Sequence, residues 1–208
     1  MWNTPEFRWD TSEWDMQLWL MDPRHTSPHL DLTNNNLTVA MNAKPGTGQN
    51  CLSYSNKGKT AGKWYLEVTY DLSDSDYLTF GVVEFGHSIN IAGEDSYPGD
   101  SVLSYGLYCG DGEIYNDGNN LEYGEAVTED DILSMALDMD NGEIYWGLNG
   151  TWFDTGNPAT RTNPAYTGLS GTKYPSGSLL DDVAQYTVNF GASDFSHTVP
   201  VGFSAFNS

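Results

Sequence analysis

The stretch from Ile132 to Phe153 constrains the fold more than any other part of the chain. From Ile132 to Asp140 the residues alternate, placing Leu133, Met135, Leu137 and Met139 on one side. A period of two describes a half-buried strand rather than a helix. Asn141-Gly142 interrupts the alternation, Glu143 to Leu148 resumes it, and Asn149-Gly150 leads into Thr151-Trp152-Phe153. Asn-Gly tolerates the positive φ angles of a type I′ turn, whose twist matches that of paired strands. Two such reversals in succession predict a three-stranded antiparallel meander.

The same pattern recurs along the chain. Leu37 to Met41 follows the turn-forming Asn34-Asn35-Asn36. Lys63 to Tyr70 puts Trp64, Leu66 and Val68 on one face, with Lys63, Glu67 and Thr69 on the other. Leu78 to Val83, Val102 to Tyr108, Ala184 to Phe190 and Phe203 to Phe206 read as further strands, bounded by Gly, Asn, Asp and Ser. Residues 154–178, rich in Gly, Pro, Thr and Asn, read as a long loop over the body. Many short strands with almost no helical period imply an all-β fold, a two-sheet antiparallel β-sandwich or jelly roll. A length of 208 residues suits one such domain. Residues 1–23 differ in character: Trp2, Phe7, Trp9, Trp14 and Trp19 stand among acids and prolines, and the helical spacing of Trp9, Met16 and Leu20 suggests a short amphipathic helix around 11–20. This segment reads either as a tail folded onto the core or as a docking segment that buries its aromatics against another chain. The division expected is therefore 1–23 and 24–208.

Charge excludes several functions. Eight Lys and Arg against 29 Asp and Glu give a net charge of −21. Between Lys63 and Arg161 there is no Lys or Arg, yet 20 of the 29 acids fall there. Such a surface repels phosphate backbones and anionic lipid, so no nucleic acid and no membrane is expected as a partner. No apolar run approaches the length needed to span a bilayer. The opening Met1-Trp2-Asn3-Thr4-Pro5-Glu6 lacks the basic start and apolar stretch of a signal peptide. Aromatics recur everywhere, which argues against disorder. Cys51 and Cys109 read as two small buried thiols, a single bridge being the alternative.

Gly62-Lys63-Trp64-Tyr65-Leu66-Glu67-Val68, Phe80-Gly81-Val82, and Asp131 to Asp138 continuing to Tyr145-Trp146-Gly147-Leu148-Asn149-Gly150 together resemble the SPRY domain. Val188-Asn189-Phe190-Gly191, Phe195 and Pro200-Val201-Gly202-Phe203 match that family's closing pattern, so the resemblance runs in order over about residues 30–208. It implies a bent, concanavalin-like β-sandwich acting as a non-enzymatic recognition module that binds through loops. The short Asn/Asp/Gly turns and the lead-in from Leu32 to Val39 look like SPRY-type modules of bacteriophage virion proteins. A RING, B-box or coiled-coil region, usual in eukaryotic SPRY proteins, is not seen. The resemblance thus implies a virion location with assembly in the host cytoplasm. It also implies contacts from the N-terminal aromatics to other virion proteins, several symmetric copies, and a host-surface glycan or protein as ligand. A cytoplasmic peptide-binding adaptor is the alternative.

Concanavalin-like sandwiches also host glycoside hydrolases, and Asp138-Met139-Asp140-Asn141-Gly142-Glu143 superficially echoes a glucanase signature. That chemistry needs two carboxyls about 5–5.5 Å apart in the retaining case. Here Asn141-Gly142 breaks the strand between them, so no catalytic residue is expected. Asp71, Asp74 and Asp76, Glu94, Asp95 and Asp100, and Glu129, Asp130 and Asp131 are oxygen clusters of the kind Ca²⁺ takes, but none has the EF-hand order. Solvated acidic loops are the plainer reading, so no cofactor is expected, with Ca²⁺ binding by one of these clusters as the alternative. His25 and His29 are separated by Pro28, which rules out a shared helical face.

What remains is a recognition surface. Rings stack on pyranose faces while carboxylates and amides bond hydroxyls, so loop tyrosines beside acids suit sugars. Tyr97, Asp100, Tyr115, Asn116, Asp117, Tyr123, Trp152, Tyr166 and Tyr174 are the candidate ligand-binding residues. Tyrosines capping the sandwich edges with their hydroxyls in water are the alternative.

Overall fold

Alternation of apolar and polar residues favours strands that bury one face, and the described residues form sixteen strands in two packed sheets. The computed structural model describes residues 18–45, 48–72, 78–91, 93–180 and 183–208. In chain order the strands are β1 (Met21–Thr26), β2 (Leu30–Thr33), β3 (Thr38–Met41), β4 (Cys51–Ser55), β5 (Lys63–Leu72), β6 (Leu78–Val83), β7 (Tyr105–Tyr108) and β8 (Glu113–Asn116). They continue with β9 (Asn119–Glu122), β10 (Ile132–Asp138), β11 (Glu143–Leu148), β12 (Thr151–Trp152), β13 (Tyr166–Thr167), β14 (Tyr174–Leu179), β15 (Gln185–Asn189) and β16 (Ser204–Ala205). One sheet has the order β1-β4-β14-β6-β7-β8-β9. The other runs β12-β11-β10-β5-β15-β3-β2, with β13 added beside β11 and β16 beside β5. Pairing is antiparallel except for β16, which runs parallel to β5. The expected all-β, two-sheet sandwich is the fold. No helix among the described residues is long and apolar enough to cross a membrane.

The core lies between the sheets. Phe80, Val82, Leu107 and Leu179 face Leu66, Val68, Met135, Leu137, Trp146 and Tyr186, all buried. Phe80 and Tyr186 meet edge to face across the gap, 6.0 Å between centroids. Cys51 and Cys109 are both buried thiols in this layer.

Several expectations need correction. Residues 154–178 are not a simple loop, because they lead through β13 into β14, which occupies the interior of the seven-stranded sheet. β14 reads Tyr-Pro-Ser-Gly-Ser-Leu and lacks the β-branched residues that mark strands. Its small side chains are required by packing: a Cβ at Gly177 would lie 2.6 Å from the Tyr186 ring. Val102 and Leu103 precede β7 and are exposed rather than part of it. The meander β10-β11-β12 forms as expected, but its two reversals differ. Asp138 pairs with Glu143, leaving a four-residue turn over 139–142 in which only Gly142 has positive φ, at 68°. The Asp138 carboxylate accepts from the Asp140 and Asn141 amides and holds that turn right-handed until Gly142. The second reversal is the expected two-residue type, with Asn149 and Gly150 at φ 48° and 83°.

The boundary at residue 23 also moves, since it falls inside β1. Trp19 is buried against Phe190 and Phe206, with Lys59 Nζ 4.7 Å from its ring centroid, so it belongs to the body and not to a docking tail. Trp2, Phe7, Trp9, Trp14 and most of the candidate helix over 11–20 lie outside the described residues.

Candidate functional site

The outer faces of the two sheets are covered differently. On the nine-stranded sheet, Tyr65, Ala136, Tyr145 and Phe203 form a second apolar cluster with Phe195 and Val199, roofed by the C-terminal segment. Glu67 is buried beneath this roof and accepts the Ser196 and His197 amides, each at 2.8 Å. The acids of the meander lie on the same face. The buried Asp138 carboxylate accepts Asn141 Nδ2 at 2.8 Å and pairs with Lys63 Nζ at 2.9 Å. Burial alone would raise its pKa, but Lys63 and the Asn141 donors outweigh that and lower it. Glu143 accepts Arg161 Nη2 at 2.6 Å and the Tyr145 hydroxyl at 2.8 Å, and Arg161 above all lowers its pKa. Asp140 accepts the Gly62 amide at 2.7 Å. A general acid in glycoside hydrolysis needs a raised pKa, and both buried carboxyls are shifted the other way.

On the seven-stranded sheet the cover is the segment joining β6 to β7, which leaves an open cleft at one end. Thr79 of β6 pairs directly with Tyr108 of β7, and Gly106 pairs with Tyr115 of β8. Leu78, Phe80, Tyr105, Leu107 and Ile114 point into the core, so Thr79, Tyr108 and Tyr115 point outward. The segment brings Tyr97 onto them. It can do so because Gly106 has no side chain: a Cβ there would lie 2.0 Å from the Pro98 carbonyl oxygen. Tyr97 and Tyr108 each stand nearly perpendicular to Tyr115, at 88°, with centroid separations of 6.1 and 6.4 Å. Asn50, Asp95 and Leu180 complete a cleft of about 250 Å³. The Asn50 backbone and side-chain amides both donate to Asp95 Oδ1, at 2.7 and 2.9 Å.

The segment is tied down by a charge knot around the buried ring of His87. Glu84 begins it, and His87 Nε2 lies 3.0 Å from Asp100 Oδ1 while Nδ1 lies 3.8 Å from Glu84. The Asp100 contact is an ion pair when His87 is protonated. Burial would lower the His87 pKa, yet the two carboxylates, Asp100 foremost, outweigh it and raise it. The buried Lys173 donates to the Leu103 carbonyl. Asn116 Nδ2 reaches the carbonyls of Ser101, Val102 and Ser104, and the Ser104 hydroxyl donates to Asp100.

Of the nine candidate residues, the structure brings Tyr97 and Tyr115 into one cleft. Asp100 and Asn116 are committed to holding the segment that carries Tyr97. Asp117 sits exposed at the tip of the β8–β9 hairpin with φ 52°. The others are dispersed: Tyr123 donates to the Asn163 carbonyl, Trp152 packs on Tyr65, Tyr166 on Tyr105, and Tyr174 on Tyr54 and Phe85. Sequence reasoning missed Tyr108, Asn50 and Thr79 as cleft residues. Tyr108 carried a readable signal, since it alternates with the inward Leu107. Among the described residues no three metal-ligating side chains converge. Asp131, one of the candidate calcium ligands, accepts from Thr128 and Asn149 instead, and Asp74 and Asp76 lie outside the described residues.

Two packed, almost wholly antiparallel sheets, with one outer face roofed by the C-terminal segment and a cleft on the other where the β6–β7 segment meets the strands, define a β-sandwich. Residues 63–178, more than half of the chain, match the family model of the SPRY domain, and the chain belongs to that family. The SPRY domain of human HERC1 superimposes with a TM-score of 0.64 at 14% identity, covering 84% of this chain and 99% of that one. A second human SPRY domain gives 0.59 at 14% identity, covering 80% and 98%. Stonustoxin gives 0.60 at 18% identity, covering 82% of this chain and 27% of the toxin chain. At these identities the likeness is one of fold. SPRY domains are, as a class, protein-interaction modules and generally non-enzymatic.

Proposed function

We propose that this protein is a non-enzymatic recognition module that engages its ligand, a surface protein or glycan, through the cleft of Tyr97, Tyr108 and Tyr115. The observation that carries this reading is the clamped 84–104 segment. Ion pairs around the buried His87 ring hold it so that Tyr97 meets Tyr115, which in turn meets Tyr108, a preorganised aromatic site open to solvent. The pinning of Asp138, Asp140 and Glu143 by structural partners supports binding without turnover.

Within this reading, the particular role is attachment at the surface of a bacteriophage virion, as a fibre, tail or capsid-decoration component present in several copies. The supports are the resemblance of the turns and lead-in to phage modules and the aromatics Trp2, Phe7, Trp9 and Trp14 ahead of the body. Multiple copies would convert weak single contacts into firm attachment. The test is retention of labelled protein on candidate host cells, with reducing-end release monitored in parallel. Retention without release, lost in Tyr97→Leu and Tyr115→Leu, is expected. Release of sugar ends, or unaltered retention by both variants, would overturn the proposal. Deletion of residues 1–17 should abolish co-sedimentation with particles, and a deletion that still incorporates would refute the docking assignment.

A further inference from the structure

We propose that the cleft seats a cationic side chain of a partner polypeptide, a lysine ammonium (methylated or not) or an arginine guanidinium, against the tyrosine rings and Asp95. This rests on the recognition reading above and specifies the ligand's chemistry.

Three observations converge. First, Tyr97 and Tyr108 both stand at right angles to Tyr115, so the walls of the cleft present ring faces in more than one direction. The negative faces of aromatic rings attract a cation within about 6 Å of their centroids. Second, the field is of one sign. Asp95 is in the lining, no cation lines the cleft among the described residues, and the chain has no Lys or Arg between Lys63 and Arg161. Burial, the bond to Glu113 and the charges of Glu113 and Asp111 push Tyr115 up to about 12, and burial with Asp100 and Asp95 raises Tyr97. An anionic or phosphorylated ligand would be repelled.

Third, the polar groups suit a cation better than a sugar. Fixing a pyranose takes several convergent donors and acceptors. Here the Asn50 backbone and side-chain amides both donate to Asp95 Oδ1, and the Tyr115 hydroxyl donates to Glu113. A volume of about 250 Å³ suits one side-chain head group rather than an oligosaccharide.

The test uses the full chain and amide-resolved NMR titration with Nα-acetyl-lysine amide, its trimethyl form, Nα-acetyl-arginine amide and galactose. A carbon isostere with tert-butyl in place of trimethylammonium supplies the neutral comparison. The cations should shift the amides of Asn50, Asp95, Tyr97, Tyr108 and Tyr115, with millimolar dissociation constants. The trimethyl form should bind about five- to thirty-fold tighter than its neutral isostere. Asp95→Asn should weaken the cations while leaving the isostere unchanged. Equal binding of isostere and cation, or binding of galactose alone, would overturn the cation assignment and leave the cleft as a recognition site. If no probe perturbs the cleft, the assignment also fails, and the cell-retention behaviour of the tyrosine variants then decides the recognition reading separately.

Discussion

Replacing Asp138 tests whether the meander's acids are structural. Its carboxylate is buried at the end of β10 and collects four contacts: Lys63 Nζ at 2.9 Å, Asn141 Nδ2 at 2.8 Å, and the Asp140 and Asn141 amides at 3.1 and 3.0 Å. Asp138→Ala strands all of them. Breaking a buried pair costs about 3–5 kcal/mol, but the Lys63 side chain is 28% exposed and can turn to water, so the lower end applies. A loss of about 3 kcal/mol corresponds to a fall in Tm of about 6–12 °C for a domain of this size. Asp138→Asn keeps an acceptor for the turn amides and loses only the charge, so a cost of about 1–2 kcal/mol is expected. The pH dependence has a definite sign. The folded pKa is depressed, so this contribution is present above the unfolded value of about 3.9 and is lost as pH falls through the folded value. Urea unfolding of wild type, Asp138→Asn and Asp138→Ala at pH 7 and pH 3 measures this directly. Wild type and the Asn variant should converge toward pH 3. If Asp138→Ala unfolds within about 0.5 kcal/mol of wild type at pH 7, the carboxylate does not anchor the turn, and its burial needs another explanation.

Two further outcomes follow from the same geometry. Trp19→Ala empties a site between Phe190 and Phe206 and should destabilise the protein by about 3 kcal/mol in thermal unfolding; an unchanged Tm would return Trp19 to the docking tail. His87 has a raised pKa in the folded state, so its stabilising charge is fully present below about pH 6.5 and disappears as pH rises through the folded value. Wild type should exceed His87→Gln by about 1–2 kcal/mol at pH 6, with the gap closing as pH rises further, and a gap that widens with pH would refute the clamp.

Much of the fold was legible because its strands carry an alternation that survives without context. Leu78–Val83 and the meander from Ile132 to Trp152 appear where the pattern puts them. β14 was not legible: a strand buried on both faces between large neighbours needs small residues, and Ser-Gly-Ser imitates a loop. Trp19 was ambiguous for the opposite reason, since an aromatic in an irregular segment can bury itself against its own body or another one. Glu67 alternates as a solvent-facing residue but lies under a segment almost 130 positions away, whose amides it accepts.

The sequence by itself determined the class of architecture, the sign of the surface and the type I′ reversal at Asn149-Gly150, because these depend on local backbone preference and on composition. Only the tertiary structure decided which tyrosines share a cleft and which acids are tied up. Tyr97, Tyr108 and Tyr115 come from a connecting segment and two adjacent strands. Their convergence depends on strand register, on the missing side chain of Gly106 and on a charge knot assembled from residues scattered between Glu84 and Lys173. Those are long-range contacts, set by how whole sheets pack, and no short window of sequence contains them.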